Sequence, residues 1–157
     1  MAFEREVLPE LGRLYRLALA IAGDRAAAED VVQDTMVAAW RRFATLRDPQ
    51  KLDAWLTRIC VNQAVQQRRR LRRLVSLAWT LGPPKAGDTP FELEASMLDV
   101  QRAFRKLSPA QRAVVVLHLY HGLTVDQCAG VIGCRPGTAR SHLGRAVTKL
   151  RRELGGA

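Results

Sequence analysis

The segment Leu123–Leu154, LTVDQCAGVIGCRPGTARSHLGRAVTKLRREL, constrains the fold more than any other part of this chain. Thr124 followed three residues later by Gln127 forms a capping-box start. The hydroxyl accepts from a free amide of the first turn while the amide side chain reaches back to the cap. Gly133 supplies the left-handed turn that ends this helix after barely two turns. Pro136 stands where a second helix begins without needing its missing N–H. That second helix carries Arg140, Arg145, Lys149, Arg151 and Arg152 among small residues. Two short helices, a glycine turn and a basic second helix predict a helix-turn-helix, although any αα-hairpin of a bundle shares part of the pattern.

Charge separates these two readings. The chain carries 25 Lys and Arg against 15 Asp and Glu, a net +10, which favours phosphate-bearing partners or anionic surfaces. Residues 1–74 hold 14 basic and 9 acidic side chains, and residues 97–157 hold 10 and 3. The stretch 75–96 holds one Lys and three acids. Two basic ends with an acidic spacer suit two nucleic-acid contacts, so the motif reads as a duplex-DNA reader. A hydrophobic fraction of 48% supports packed cores in both ends and argues against disorder.

Several classes are excluded on residue type. No apolar run is long enough to span a bilayer, and the start, MAFEREVLPE, lacks a signal-peptide core, so a cytoplasmic protein without membrane insertion is expected. Cys60, Cys128 and Cys134 are odd in number and lack CxxC spacing, which argues against a disulfide framework. His118, His121, Cys128, Cys134 and His142 match no compact zinc set, and Cys128 falls on the core side of its helix. No catalytic constellation and no glycine-rich phosphate loop is present. Neither an enzyme nor a metal or other cofactor is therefore expected.

The rest of the chain reads as helix. Phe3, Val7, Leu11, Leu14, Leu17, Ala18 and Ile21 recur at helical spacing up to Gly23, and Asp24 caps a second helix reaching about Leu46. Its expected buried stripe is Val32, Met36, Trp40 (with Ala39) and Phe43. Asp30, Gln33, Asp34, Val37 and Arg41 share another face. Pro49 opens a third helix that buries Leu52, Trp55, Leu56 and Ile59 and ends in a basic run, Arg68–Arg73. Gly82, Pro83, Pro84, Gly87 and Pro90 mark residues 75–96 as a flexible linker, on which Leu77, Trp79 and Leu81 are expected to dock against something. A helix of about Phe91–Leu107 follows, then a capping box Ser108–Gln111 opening a helix through Tyr120 that stops near Gly122. The fold class is all-α, with two small helical domains at 1–74 and 97–157.

Three blocks carry a resemblance over nearly the whole chain: GDRAAAEDVVQDTMVAAWRRF, DAWLTRICVNQAVQQRRR and LSPAQRAVVVLHLYHGLTVDQCAGVIGCRPGTARSHLGRAVTKLRREL. In this order they resemble a bacterial RNA polymerase sigma factor of the compact extracytoplasmic-function type, which keeps only the second and fourth sigma domains. The resemblance implies a promoter-specificity subunit that directs initiation at −10 and −35 elements. It implies that Asp30, Gln33, Asp34, Val37 and Arg41 dock on the β′ clamp coiled coil of core polymerase, and that the fourth domain meets the β flap. It places Arg47, Lys51, Arg58, Asn62, Gln66 and Arg69 at the −10 element, where a flipped base needs a pocket and a basic groove. At the −35 major groove it places Thr138, Arg140, Ser141, Gly144 and Arg145, with Lys149 and Arg152 on phosphate. An anti-sigma factor is a further implied partner. No appended module is expected after Leu154. Gln127, Cys128, His142 and Gly144 depart from the residues usual at these positions, so no −35 preference carries over.

Two other readings compete. An autonomous helix-turn-helix regulator would need a dimerisation or sensor element in the N-terminal half, which instead holds a basic helix and the mixed stripe. A basic RNA-binding protein would show aromatic stacking platforms, but aromatics are 6% and the tryptophans fall at packing positions or in the linker.

Overall fold

The computed structural model describes the backbone of residues 2–77 and 95–155, with side chains over 2–67 and 99–155. All regular structure among the described residues is helical, in two compact units, Met1–Asp88 and Thr89–Ala157.

In the first unit, α1 (Ala2–Val7) passes through a 3-10 turn, Leu8–Glu10, into α2 (Leu11–Ala22). The sequence pattern predicts one unbroken helix here. Pro9 interrupts it because proline offers no N–H to the preceding turn. Gly23 ends α2 with φ 86°, and its amide donates to the Leu19 carbonyl at 2.9 Å. Asp24 then caps α3 (Arg25–Arg42), its Oδ1 accepting from the Ala27 amide at 2.8 Å. After the loop, α4 runs from Leu52 to Leu77. Helices α2, α3 and α4 pack against one another in all three combinations.

The core of this unit corrects the expected register of α3. Val31, Thr35 and Ala39 are buried together with Ala27 and Ala28, whereas Val32, Met36 and Phe43 are only half-buried and Trp40 is exposed. Alanine and threonine let α3 approach two neighbours at once, and Thr35 satisfies its hydroxyl by donating to the Val31 carbonyl at 2.6 Å. On α4, Leu56 and Ile59 are buried as expected, joined by Cys60, Val61, Ala64 and Val65, while Leu52 and Trp55 stay half-buried. Burial pushes the Cys60 thiol up to about 11, although a hydrogen bond with Thr35 pulls the other way. Its Sγ lies 3.6 Å from the Leu14 carbonyl oxygen.

Arg13 joins α2 to the start of α4. Its guanidinium donates to Thr57 Oγ1 at 2.8 Å and pairs with Asp53 and Glu10, both at 2.6 Å. These bonds set where the first two turns of α4 point.

The second unit contains α5 (Ala95–Arg105), α6 (Pro109–Val115) continued by a π turn, Val116–Tyr120, then α7 (Val125–Ile132) and α8 (Pro136–Leu154). Both expected capping boxes form: Ser108 with Gln111, and Thr124 with Gln127. Gly122 and Gly133 take φ 68° and 79°, the left-handed region that glycine enters without a Cβ penalty. Leu107, Val115 and Ala146 form a core with Phe104, Leu143 and Leu150 packed against it. Arg112 is only 3% exposed, yet its donors are used, since it bonds the Phe104 and Arg105 carbonyls that end α5 at 3.0 and 2.8 Å. His118 Nδ1 lies 2.7 Å from the Leu123 carbonyl oxygen and holds the loop before α7. Cys128 is fully buried, as its position on α7 predicted. The expected docking residues Trp79 and Leu81 lie outside the described residues, as does the side chain of Leu77.

Candidate interfaces for nucleic acid and protein

The buried side of α3 decides what its other side presents. With Val31, Thr35 and Ala39 turned inward, Asp30, Gln33, Asp34, Val37 and Arg41 all lie exposed along one face. Trp40 joins them: it is 60% exposed, beside Val37 at 48%. An apolar pair with acidic, amide and basic neighbours has the composition of a protein contact patch, apolar at its centre and polar around it. The sequence pattern assigned Trp40 to the core. The signal that it is not core was the alternative stripe of Ala27, Ala28, Val31, Thr35 and Ala39, small residues at equally good helical spacing. Asp30 is not wholly free, since its Oδ2 accepts from Gln67 Nε2 of α4 at 3.4 Å.

The loop between α3 and α4 carries Arg47 and Lys51, both exposed. It is built from two 3-10 turns, Phe43–Thr45 and Pro49–Lys51, the second capped by Asp48, which accepts from the Gln50 amide at 3.0 Å. Phe43 packs edge-on against Phe3 of α1 with ring centroids 5.3 Å apart, which ties the loop's start to the bundle. Arg58 and Gln66 are exposed on α4 and Asn62 is half-buried between them. Spacings of four residues put these three in line on one side of the helix. The side chain of Arg69 lies outside the described residues. The structure thus brings Arg58, Asn62 and Gln66 to one side of α4, and places Arg47 and Lys51 on the loop before it.

In the second unit, α7 and α8 pack together and α8 also rests on α5 and α6. Ala139 and Ala146 are the fully buried residues of α8, and their small size lets the helices lie close. The opposite side is polar and open: Thr138, Arg140, Ser141, Gly144 and Arg145 are all exposed. Arg151 and Arg152 continue that side. A side-chain carbon added at Gly144 would meet nothing within 4 Å, so the glycine leaves an open notch in the middle of the face. Lys149 differs from the rest. It is half-buried on the flank toward α6, with Nζ 3.4 Å from Gln111 Oε1. The N-terminus of α8 has no side-chain cap, so the Gly137 and Thr138 amides are available to a phosphate. Arg140 meets a carboxylate on α7, its Nη2 lying 3.4 Å from Asp126 Oδ1. An exposed, arginine-lined second helix braced on a capped first helix has the shape and charge to enter a major groove.

Comparison with known proteins identifies the family. Residues 7–74 match the Sigma-70 region 2 family and residues 97–150 match Sigma-70, region 4. The chain is 37% identical over 146 residues to the ECF RNA polymerase sigma factor SigL of Mycobacterium tuberculosis, covering 90% of this chain and 82% of that one. It is 29% identical over 154 residues to the RNA polymerase sigma-E factor of Streptomyces coelicolor, covering 98% and 86%. Among solved structures it resembles the sigma factor RpoE in complex with the anti-sigma factor NepR from Bartonella quintana. The TM-score is 0.76 at 28% identity, over 98% of this chain and 97% of that one. It also resembles CnrH in complex with the cytosolic domain of CnrY, with a TM-score of 0.60 at 28% identity. Two sigma regions in order, relatives matched over more than four-fifths of their length and a two-unit fold that is helical throughout its described regular structure make the chain a member of the extracytoplasmic-function sigma factors, promoter-specificity subunits of bacterial RNA polymerase.

Proposed function

We propose how the work of a sigma factor is divided along this chain. Residues 1–74 bind core polymerase and the −10 element, residues 75–96 link, and residues 97–157 bind the −35 element. The exposed face of α3, Asp30, Gln33, Asp34, Val37, Trp40 and Arg41, docks on the β′ clamp coiled coil. The second unit meets the β flap. Arg47 and Lys51 in the loop, with Arg58, Asn62, Gln66 and Arg69 along α4, hold the opened −10 strand and its flipped base. On α8, Arg140 and Arg145 donate to base edges, Thr138 and Ser141 suit either base or phosphate, and Gly144 admits the groove wall. Lys149 and Arg152 track phosphate. Chemistry stays with the polymerase, so the chain acts as a non-catalytic subunit in the cytoplasm; no described helix is long and apolar enough to cross a membrane. RpoE and CnrH were solved with NepR and CnrY, which supports an anti-sigma partner here as well.

The observation that carries this reading is the exposed mixed face of α3. The exposed pair of Val37 and Trp40 calls for a protein to cover it, and in a chain with both sigma regions core polymerase is the partner that fits. Two basic units with few phosphate contacts each bind DNA weakly unless something fixes their spacing. The test is a gel shift and footprint on promoter DNA with and without core polymerase. Protection of both elements only with core is the expected result. Protection of both by the isolated protein at physiological salt overturns the reading and restores an autonomous regulator.

A further inference from the structure

The second unit is strongly basic, and residues 97–157 hold just three acids: Asp99, Asp126 and Glu153. Asp99 lies 3.8 Å from Arg102, one turn along α5, and Glu153 is paired with Lys106 at 2.7 Å. Asp126 alone stands against a side chain of the open face of α8, with Oδ1 3.4 Å from Arg140 Nη2. Both partners are about two-thirds exposed, at 68% and 66%. An ion pair so open to water adds almost nothing to stability, so fold stability does not account for it.

We propose that Asp126 is a positioning residue for base reading: it holds one edge of the Arg140 guanidinium and aims the remainder at a base rather than at phosphate. The inference rests on reading α8 as the −35 helix. A guanidinium has five N–H groups, of which the carboxylate occupies one and leaves a pair free for guanine O6 and N7. Without a restraint, a long arginine near a duplex loses rotamer freedom on reaching a base and is drawn to the nearer phosphates, contacts that carry no sequence information. A negative charge beside it opposes that collapse, because it attracts the guanidinium and repels an approaching phosphate. The backbone that carries Asp126 is well fixed. It lies between the two members of the α7 capping box, in which Thr124 Oγ1 accepts from the Gln127 amide at 3.1 Å and Gln127 Oε1 from the Thr124 amide at 2.9 Å. Its place in the first turn of α7 also suits a carboxylate. When DNA closes over the pair and water leaves, their attraction strengthens.

The test uses holoenzyme assembled from core polymerase and the full chain, with selection on a promoter library randomised across the −35 element. Variants are Asp126→Asn, Asp126→Ala, Arg140→Ala and the Asp126→Ala/Arg140→Ala double, each checked for unchanged thermal unfolding. Asp126→Ala and Asp126→Asn are expected to lower discrimination at one base position by roughly three- to tenfold, the position that Arg140→Ala flattens. They are also expected to raise affinity for unrelated DNA, because a negative charge near phosphate is gone. The double variant should lose no more discrimination than Arg140→Ala alone, and Asp126→Glu should restore part of it. If Arg140→Ala flattens a position and the Asp126 variants leave the profile unchanged, or weaken all sequences evenly, positioning is wrong while the −35 reading stands. If Arg140→Ala flattens nothing, Arg140 reads no base, and the positioning role falls with that assignment.

Discussion

Replacing Gly144 should separate the stability of α8 from its use. A glycine in a helix interior costs roughly 0.5–1 kcal/mol relative to alanine, through backbone entropy in the unfolded chain. An added carbon at Gly144 meets no atom within 4 Å, so nothing offsets the gain. The one local bond there, from Thr148 Oγ1 to the Gly144 carbonyl at 2.9 Å, involves the main chain and survives the substitution. Gly144→Ala should therefore stabilise the second unit by about 0.5–1 kcal/mol. For a unit of this size that is an upward shift of about 2–8 °C in its melting transition, read by calorimetry of the full chain. Gly144→Leu should keep most of that gain, because leucine also favours helix. It fills the notch between the arginine-bearing edges of α8, however, so −35 recognition by holoenzyme should fall by about 1–3 kcal/mol, measured by competition against an unrelated duplex. A loss of stability in the alanine variant would mean that this face of α8 is packed against something. Normal promoter binding by the leucine variant would mean that this face never enters the groove.

Trp40→Ala should weaken binding to core polymerase by about 2 kcal/mol or more in a pull-down titration while changing stability little, as expected of an exposed aromatic anchor. Charge reversal at Asp30 with Gln33→Ala should act in the same direction, each within about 0.5 kcal/mol of the parent stability; unchanged affinity for core would refute the docking face. Arg145→Ala should relax preference at one or two −35 positions, whereas Lys149→Ala should weaken all sequences alike and reduce the salt slope by about one. Identical behaviour of the two on a randomised library would refute that division. For Cys60 the folded thiol titrates near 11 and the unfolded one near 9.0, so the folded state keeps a proton that the unfolded state loses between these values. The stabilisation is complete below about pH 9 and fades as pH rises toward 11, by up to ~2–3 kcal/mol. Urea unfolding at about pH 8 and about pH 10.5 should show this decline, and Cys60→Ala should reduce it.

Local chemistry was legible without tertiary information. Thr124 with Gln127, Ser108 with Gln111, Asp24 after Gly23, and Gly133 before Pro136 each act on backbone groups within a few residues, so the caps and turns they form follow from neighbours in the chain. The helix-turn-helix, with its basic second helix, was readable for the same reason, as was the all-helical class. Which residues of α3 face inward was not. Two stripes at helical spacing compete there, Val32–Met36–Trp40 and Val31–Thr35–Ala39, and hydrophobicity favours the wrong one. Only packing against α2 and α4 together selects small residues for the inner side, because bulky ones would hold the three helices apart. That choice placed Trp40 in water beside Val37. Tertiary structure likewise decided the fates of individual cations. Arg13 and Arg112 are taken up in tying helices together, Lys149 leans toward Gln111, and Arg140 meets Asp126 fourteen residues earlier in the chain. Helical periodicity gives an arginine a direction from its axis, but its partner is set by whichever carbonyl or carboxylate the neighbouring helix brings within reach.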